Sequence, residues 1–290
     1  MKIVRLIGGI GNQMFQYALY VALRKMFPEE EVLLDYSYFR SVHVHNGLEL
    51  EKVFGLDLPQ ATFGQLLKVT YPVYNYKISR FILKFIHQKK TELEDHPDPN
   101  LITEIFKTGD KYYIGYWQDY RYIIDCKEEL QSAFRFKMPL NKGTEELLKV
   151  LIGEENSISL HVRRGDYLQD AGYAGLCGTG YYKQAIDFIL DRVANAKFYV
   201  FSDDLNWCKE NIIPLLKGQE HVFVDWNKKA ESPLDILLMS KCKHNIIANS
   251  SFSWWAAFLN TNKGQIVCAP EKWTNHKVFT IRQLPKWNLF

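Results

Sequence analysis

Arg163 and Arg164 stand side by side in His161-Val162-Arg163-Arg164-Gly165-Asp166-Tyr167, directly after the short β-prone run Ser157 to Leu160. Arginine keeps its charge, and its planar fork matches phosphate oxygens two at a time. A pair of arginines at the mouth of a strand, beside a glycine, therefore suits an anion. Strand-end loops of open α/β sheets are also where ligands collect. The competing reading is an Arg–Asp surface network that only shapes the loop. Two further strand ends carry polar chemistry. Phe201-Ser202-Asp203-Asp204 offers two carboxylates. They could hold a divalent metal over a diphosphate. Alternatively one caps the next helix while the other accepts hydrogen bonds from a base or ribose. Guanine's N1–H and exocyclic amine match one carboxylate. Because the arginines already supply positive charge, the metal-free reading is preferred. Asn249-Ser250-Ser251-Phe252-Ser253-Trp254-Trp255 places hydroxyls at a helix start, where N–H groups and the helix dipole favour phosphate. A serine cap accounts for one serine but not for three around an asparagine. Trp254 and Trp255 are read as core packing.

The chain opens with a strand, Lys2 to Ile7, a glycine-rich turn, Gly8-Gly9-Ile10-Gly11-Asn12-Gln13, and a helix, Met14 to Met26. Such a β–loop–α opening brings backbone N–H groups close to a ligand. A dinucleotide fingerprint would need a third glycine where Met14 stands, so a nicotinamide or flavin site is not expected. Asn12 and Gln13 present amides suited to sugar hydroxyls or phosphate oxygens. Between Tyr36 and Gly47, His43 and His45 could form a metal pair. They have no acidic or cysteine partner nearby, and a solvated or acceptor-facing loop is the better reading. Tyr112 to Tyr122 reads as an aromatic strand containing Trp117 and Gln118.

These groups need a scaffold. Strands are expected at Val32–Asp35, Ser157–Val162, Lys197–Ser202, His221–Val224, Asn245–Ala248 and Gln265–Ala269. Helices are expected at Asp125–Phe134, Thr144–Ile152, Tyr181–Val193, Leu205–Ile213, Pro233–Cys242 and Phe252–Asn260. Short apolar strands alternating with helices predict a parallel, doubly wound sheet in the second half. Ser232-Pro233-Leu234-Asp235 reads as a serine-capped helix start. The first half also opens β–α–β. The expected architecture is therefore two α/β domains facing a cleft, residues 1–152 and 153–290. Lys77 to Lys90 is a basic amphipathic stretch, suited either to an anionic membrane surface or to packing on the N-terminal domain with a wet basic face.

With 290 residues, 47% of them hydrophobic and 24% charged, the chain is globular. A net charge of +3 is too small to argue for nucleic acid. Aromatics reach 14%. They suit sugar rings but fill cores as well. Five scattered cysteines without a CxxC pair predict reduced thiols. No signal peptide or membrane span is legible, so a cytoplasmic protein is expected.

The glycine-rich opening through Tyr17, the His161–Tyr167 stretch, Phe201–Asp204 and Asn249–Trp255 occur in the order found in the bacterial α-1,2-fucosyltransferases. Gly115-Tyr116-Trp117-Gln118 also fits that pattern. The chain resembles this family, glycosyltransferase family 11, from residue 3 to about residue 260. The resemblance implies a GT-B-like fold of two Rossmann-like domains. It implies inverting, metal-independent transfer of L-fucose from GDP-β-L-fucose to the 2-hydroxyl of a terminal galactoside, with no cofactor. O-antigen units are the family's usual products. By the same resemblance Arg163 binds the β-phosphate and Asn12 reaches the donor's bridging oxygen or phosphate. His161 and one of Asp203 and Asp204 hold guanosine, and Ser250 and Ser251 touch the phosphates. Arg164, Asn249, Ser253, Gly9, Gly11 and Gln13 complete the expected donor site. Tyr36 and Trp117 are the expected acceptor contacts. Asp166 is the candidate general base, with pairing to Arg164 as its alternative role. The rival functions are a transferase using another GDP-sugar and a non-catalytic glycan- or nucleotide-binding protein.

Overall fold

The structure, a computed structural model, describes residues 1–42, 46–71, 89–96, 98, 100–275 and 283–290. The chain divides into two compact units, Met1–Met138 and Pro139–Phe290. Each is built on its own parallel sheet.

The first unit contains β1 (Lys2–Arg5), β2 (Val32–Asp35), β3 (Glu92–Glu94) and β4 (Lys111–Ile114), in the order β2-β1-β4-β3. Ile3, Leu33, Ala61, Leu66, Val69 and Tyr112 form an apolar cluster against this sheet. The helix after β1 spans Ile10–Met26, so it starts earlier than the expected Met14. Gly9, in extended conformation, supplies the carbonyl that accepts from the N–H groups of Asn12 (3.0 Å) and Gln13 (3.1 Å). Gly11, Asn12 and Gln13 thus lie on the first helical turn, not in a loop. Glycine's low helix propensity hides this start in the sequence.

The expected strand over Tyr112–Tyr122 ends at Ile114. Gly115 (φ +148°) and Trp117 (φ +56°) turn the chain, and Tyr120–Tyr122 forms one 3₁₀ turn. Asp95 anchors the turn by accepting from the Trp117 N–H at 2.7 Å. A Cβ on Gly115 would lie 2.2 Å from that of Asp95, so only glycine fits there. Three short helices, Leu50–Phe54, Phe63–Val69 and Leu101–Ile105, occupy regions without a legible pattern. The second of them has a capping box between Thr62 and Gln65, a signal present in the sequence. His43 and His45, and residues 77–88 of the basic stretch, lie outside the described residues.

The second unit contains β5 (Ser157–Val162), β6 (Lys197–Ser202), β7 (His221–Val224), β8 (His244–Ile246), β9 (Val267–Ala269) and β10 (Asn288–Leu289). Their order is β10-β9-β8-β5-β6-β7, with every pairing parallel. The first three strands match their expected bounds, and β8 and β9 are shorter than expected. Along β5, Ile158, Leu160 and Val162 belong to the cluster with Tyr181, Tyr182, Ala185, Ile186 and Ile189 of helix Thr179–Leu190. Ser157, Ser159 and His161 alternate onto the opposite face. All six are buried, as a parallel strand covered on both sides requires. Trp254 and Trp255, on helix Ser251–Leu259, are core residues as expected.

Helix Lys142–Ile152 falls in the second unit, so the contacts divide the chain at 138 rather than at 152. Helix Leu234–Lys241 is not capped by a serine side chain. Ser232 offers its backbone carbonyl to the Asp235 N–H (3.0 Å), while the Asp235 carboxyl accepts from Asn227 Nδ2 (2.7 Å). Among the described residues no helix is long and apolar enough to cross a membrane. All five cysteines are free.

Candidate active site

In both units the strand order turns back on itself, between β1 and β4 in the first and between β5 and β8 in the second. The carboxyl ends of strands flanking such a reversal leave a crevice between their loops. The sequence motifs sit at these two places.

At the end of β5, Arg163 reaches two carboxylates. Its Nη2 donates to Asp166 Oδ1 (2.7 Å), and its Nη1 pairs with Asp203 Oδ2 (3.0 Å). Arg164 pairs through Nε with Asp204 Oδ2 (3.1 Å) and lies over the Trp207 ring at 4.1 Å. Asp166 therefore holds Arg163 and not Arg164. Asp203 Oδ1 also accepts from the Arg164 backbone N–H at 2.9 Å. Asp204 caps helix Leu205–Asn211 by accepting from the Trp207 N–H at 3.1 Å. The Arg–Asp network that shapes the loop is thus present, and both arginines keep part of their surface exposed. Gly165 belongs to that network, because a Cβ there would lie 2.8 Å from Asp203 Oδ2. Both aspartates have arginine partners. Among the described residues, no group of three or more His, Cys, Asp or Glu side chains is arranged for a metal.

His161 is buried on β5, and its Nδ1 has no hydrogen-bond partner. Burial lowers its pKa to about 4. Asp203 opposes this and Arg163 adds to it, so the imidazole is neutral at pH 7. Its ring packs 5.9 Å from that of Phe252, and its backbone carbonyl accepts from the Tyr182 hydroxyl.

Beyond β8, Ser250 is the N-cap of helix Ser251–Leu259 and accepts from the Phe252 N–H at 3.3 Å. Ser251 opens the helix. Asn249 and Ser253 are buried and donate to the backbone carbonyls of Trp273 (3.2 Å) and Ser250 (3.4 Å). The asparagine and the third serine therefore build the turn rather than face a ligand.

In the first unit, Asn12 Oδ1 accepts from Gln118 Nε2 at 2.6 Å, joining the first turn of the helix after β1 to the turn beyond β4. Gly8 (φ +78°) leaves the space for this side chain, since a Cβ there would lie 2.8 Å from Asn12 Nδ2. Gln13 is wholly buried. Its amide donates to the carbonyls of Gly8 (2.9 Å) and Gly47 (2.8 Å) and accepts from the Glu49 N–H (2.9 Å). Its role is to hold the turn. The helix start expected to meet a ligand through Gly9 and Gly11 already has an internal acceptor: the Glu49 carboxyl accepts from the Ile10 N–H. Burial raises the Glu49 pKa, against the pull of Asn46 and that N–H. Trp117 is 0% exposed and packs edge-on against Tyr113 (5.7 Å) and Tyr122 (6.3 Å), which makes it core rather than an acceptor face. Of its motif, Gln118 is the residue beside Asn12. Tyr36 is half-buried, with its hydroxyl 3.5 Å from the Leu58 carbonyl.

Gln118, Glu49, Tyr167 and Trp207 stand among these groups without being expected from the sequence. Gln118 and Tyr167 lie inside quoted motifs, and Trp207 follows Asp204 by three residues, the spacing of an N-cap contact. Glu49 carries no local signal.

The sequence profile described as Glycosyl transferase family 11 matches residues 61–289. An Escherichia coli alpha-1,2-colitosyltransferase is 36% identical, over 93% of this chain and 91% of its own. The Escherichia coli O-antigen biosynthesis glycosyltransferase WbnK is 31% identical, over 92% and 93%. The galactoside alpha-(1,2)-fucosyltransferase 1 of Aotus azarae is 27% identical over 87% of this chain, which spans 63% of that protein. Among solved structures, the fucosyltransferase NodZ from Bradyrhizobium shares the GT-B-like fold. The TM-score is 0.50 at 13% identity, covering 89% of this chain and 92% of that one.

Proposed function

The chain belongs to glycosyl transferase family 11 and so transfers a sugar from a nucleotide donor, and on that premise we propose that it moves L-fucose from GDP-β-L-fucose to the 2-hydroxyl of a terminal galactoside, with inversion and without a metal. The observation that carries this reading is Arg163 at the strand-order reversal, held by two carboxylates on its two outer nitrogens. In the reaction the acceptor oxygen bonds to the fucose anomeric carbon, the bond from that carbon to the diphosphate oxygen breaks, and the acceptor proton is lost. Negative charge grows on the β-phosphate. Arg163 and the helix start at Ser250 and Ser251 are the groups assigned to that charge, and a preorganised donor of this kind is worth roughly 3–4 kcal/mol of barrier.

Asp203 and Asp204 bind Arg163, Arg164 and the Trp207 N–H. We therefore assign them to holding the arginines, and we assign neutral His161 to the nucleoside side of the donor. We assign the Asn12 amide, whose Oδ1 is fixed by Gln118, to the sugar nucleotide. Asp166 remains the candidate to receive the acceptor proton, since its side chain is 58% exposed beside Arg163. The name of the fucosyltransferase relative supports donor and linkage. The colitosyltransferase at 36% identity supports a second donor of the same class, GDP-colitose, whose sugar is L-fucose without its 3-hydroxyl.

The test is turnover of GDP-fucose and GDP-colitose with lactose, with and without EDTA, followed by linkage analysis. Transfer of fucose to the galactose 2-hydroxyl in EDTA is the expected result. Preference for GDP-colitose replaces the donor sugar. Loss of activity in EDTA returns Asp203 and Asp204 to metal binding.

A further inference from the structure

The two groups assigned to the diphosphate belong to different loops. Arg163 follows β5, and Ser250 begins the helix after β8. These strands are neighbours on either side of the reversal, but no backbone hydrogen bond fixes the distance between a guanidinium and a helix start. A diphosphate needs both at once. The two carboxylates on Arg163 hold the outer edge of its guanidinium, which leaves the tilt of the plane to be set by whatever packs on its face.

Tyr167 touches both groups. Its ring faces the Arg163 guanidinium carbon at 5.5 Å, and its hydroxyl shares a side-chain hydrogen bond with Ser250. The ring is held in turn by Tyr173, stacked at 4.7 Å and 23°. Tyr173 sits in a loop tied down at Gly172, whose carbonyl accepts from the Asn275 N–H (2.7 Å) and Thr274 Oγ1 (2.8 Å). We propose that Tyr167 is a positioning residue for the leaving diphosphate: a rigid strut that sets the plane of Arg163 and fixes it relative to the helix start at Ser250. This rests on the donor reading above. Burial pushes the Tyr167 phenol above its ordinary range, so it acts as a neutral hydroxyl. An aromatic face suits a guanidinium because the ring quadrupole attracts the cation without competing for the N–H groups that a phosphate needs.

The experiment compares Tyr167→Phe and Tyr167→Leu in the full chain. Affinities for GDP and GMP are measured by calorimetry, together with kcat for the donor and the melting temperature. The ratio of the two affinities isolates the β-phosphate, and a merely structural loss moves both nucleotides together. Tyr167→Phe keeps the ring and loses the Ser250 bond, so the preference for GDP falls ~3–5-fold; Tyr167→Leu loses both contacts, and it falls ~10-fold or more. GMP affinity stays within about twofold, and kcat falls in the same order. An unchanged ratio in a folded variant overturns the assignment, as does equal weakening of GMP and GDP. If Tyr167→Leu does not fold, Tyr167→Phe alone decides. A wild-type protein that does not prefer GDP to GMP removes the donor reading itself, and this assignment with it, a result distinct from failure in the variants only.

Discussion

Arg163 is a charge already answered twice. Asp166 and Asp203 both bond its guanidinium, so an incoming anion must displace one of them or use the N–H groups left over. Asp203 is the firmer partner, because it also holds the Arg164 backbone and is half as exposed as Asp166. The fork geometry matters as well as the charge. Removing the guanidinium in Arg163→Ala should lower kcat/KM for the nucleotide sugar by about 10²–10³-fold. Arg163→Lys should not restore it, because a lysine presents a point charge without the planar pair of donors. Steady-state kinetics on both variants check this, and near-parental turnover in either would take Arg163 out of the reaction centre.

At the scale of elements, the helix start after β1 depends on glycine for two different reasons. Gly8 needs the left-handed region and must leave room for the Asn12 amide. Gly180, in the first turn of helix Thr179–Leu190, meets nothing within 4 Å of an added Cβ and has no positive φ. Gly8→Ala should therefore cost about 1–2 kcal/mol through backbone strain and reduce turnover by displacing Asn12. Gly180→Ala should stabilise by about 0.5–1 kcal/mol through helix propensity alone. Paired denaturant titrations and initial rates on the two variants test this, and equal effects would mean that the Asn12–Gln118 contact does not depend on Gly8.

Considered as a whole molecule, the second unit carries a buried polar chain at its sheet edge: Asn141 donates to Asn227 (2.7 Å), which Thr144 also bonds, and Asn227 donates to Asp235. Burial raises the Asp235 pKa to about 7, against the opposing pull of Asn227 and Lys228. A carboxyl raised on folding is protonated in the fold while the unfolded chain ionises. No penalty exists below the unfolded value near 4. The penalty grows as pH rises to about 7 and is level above it. Asp235→Asn keeps an acceptor for Asn227 and escapes this cost. Its melting temperature should match the parent's near pH 4 and exceed it at pH 8, by an amount equivalent to about 4 kcal/mol at most. A constant difference across that range would show that Asp235 is ionised in the fold.

Much of this protein is legible in its sequence. β5, β6 and β7 match their sequence-derived bounds because parallel strands covered on both faces are written as short apolar runs between polar ends. The paired arginines, the acidic pair and the serine-rich helix start mark the candidate site because their chemistry is carried by residue type. Which of these side chains face that site is a different matter. Gln13, Trp117, Asn249 and Ser253 have suitable chemistry yet turn inward, while Gln118 and Tyr167 reach Asn12 and Arg163. Side-chain direction follows from where a helix begins and how a turn twists. At Ile10 that depends on Gly9 adopting an extended conformation, and at Trp117 on a left-handed residue anchored by Asp95. Glu49 reaches the first helix start from far along the chain. Such contacts have no period and no local spacing. They arise when the packing of distant segments leaves one buried N–H beside one carboxylate, and only the tertiary structure decides that.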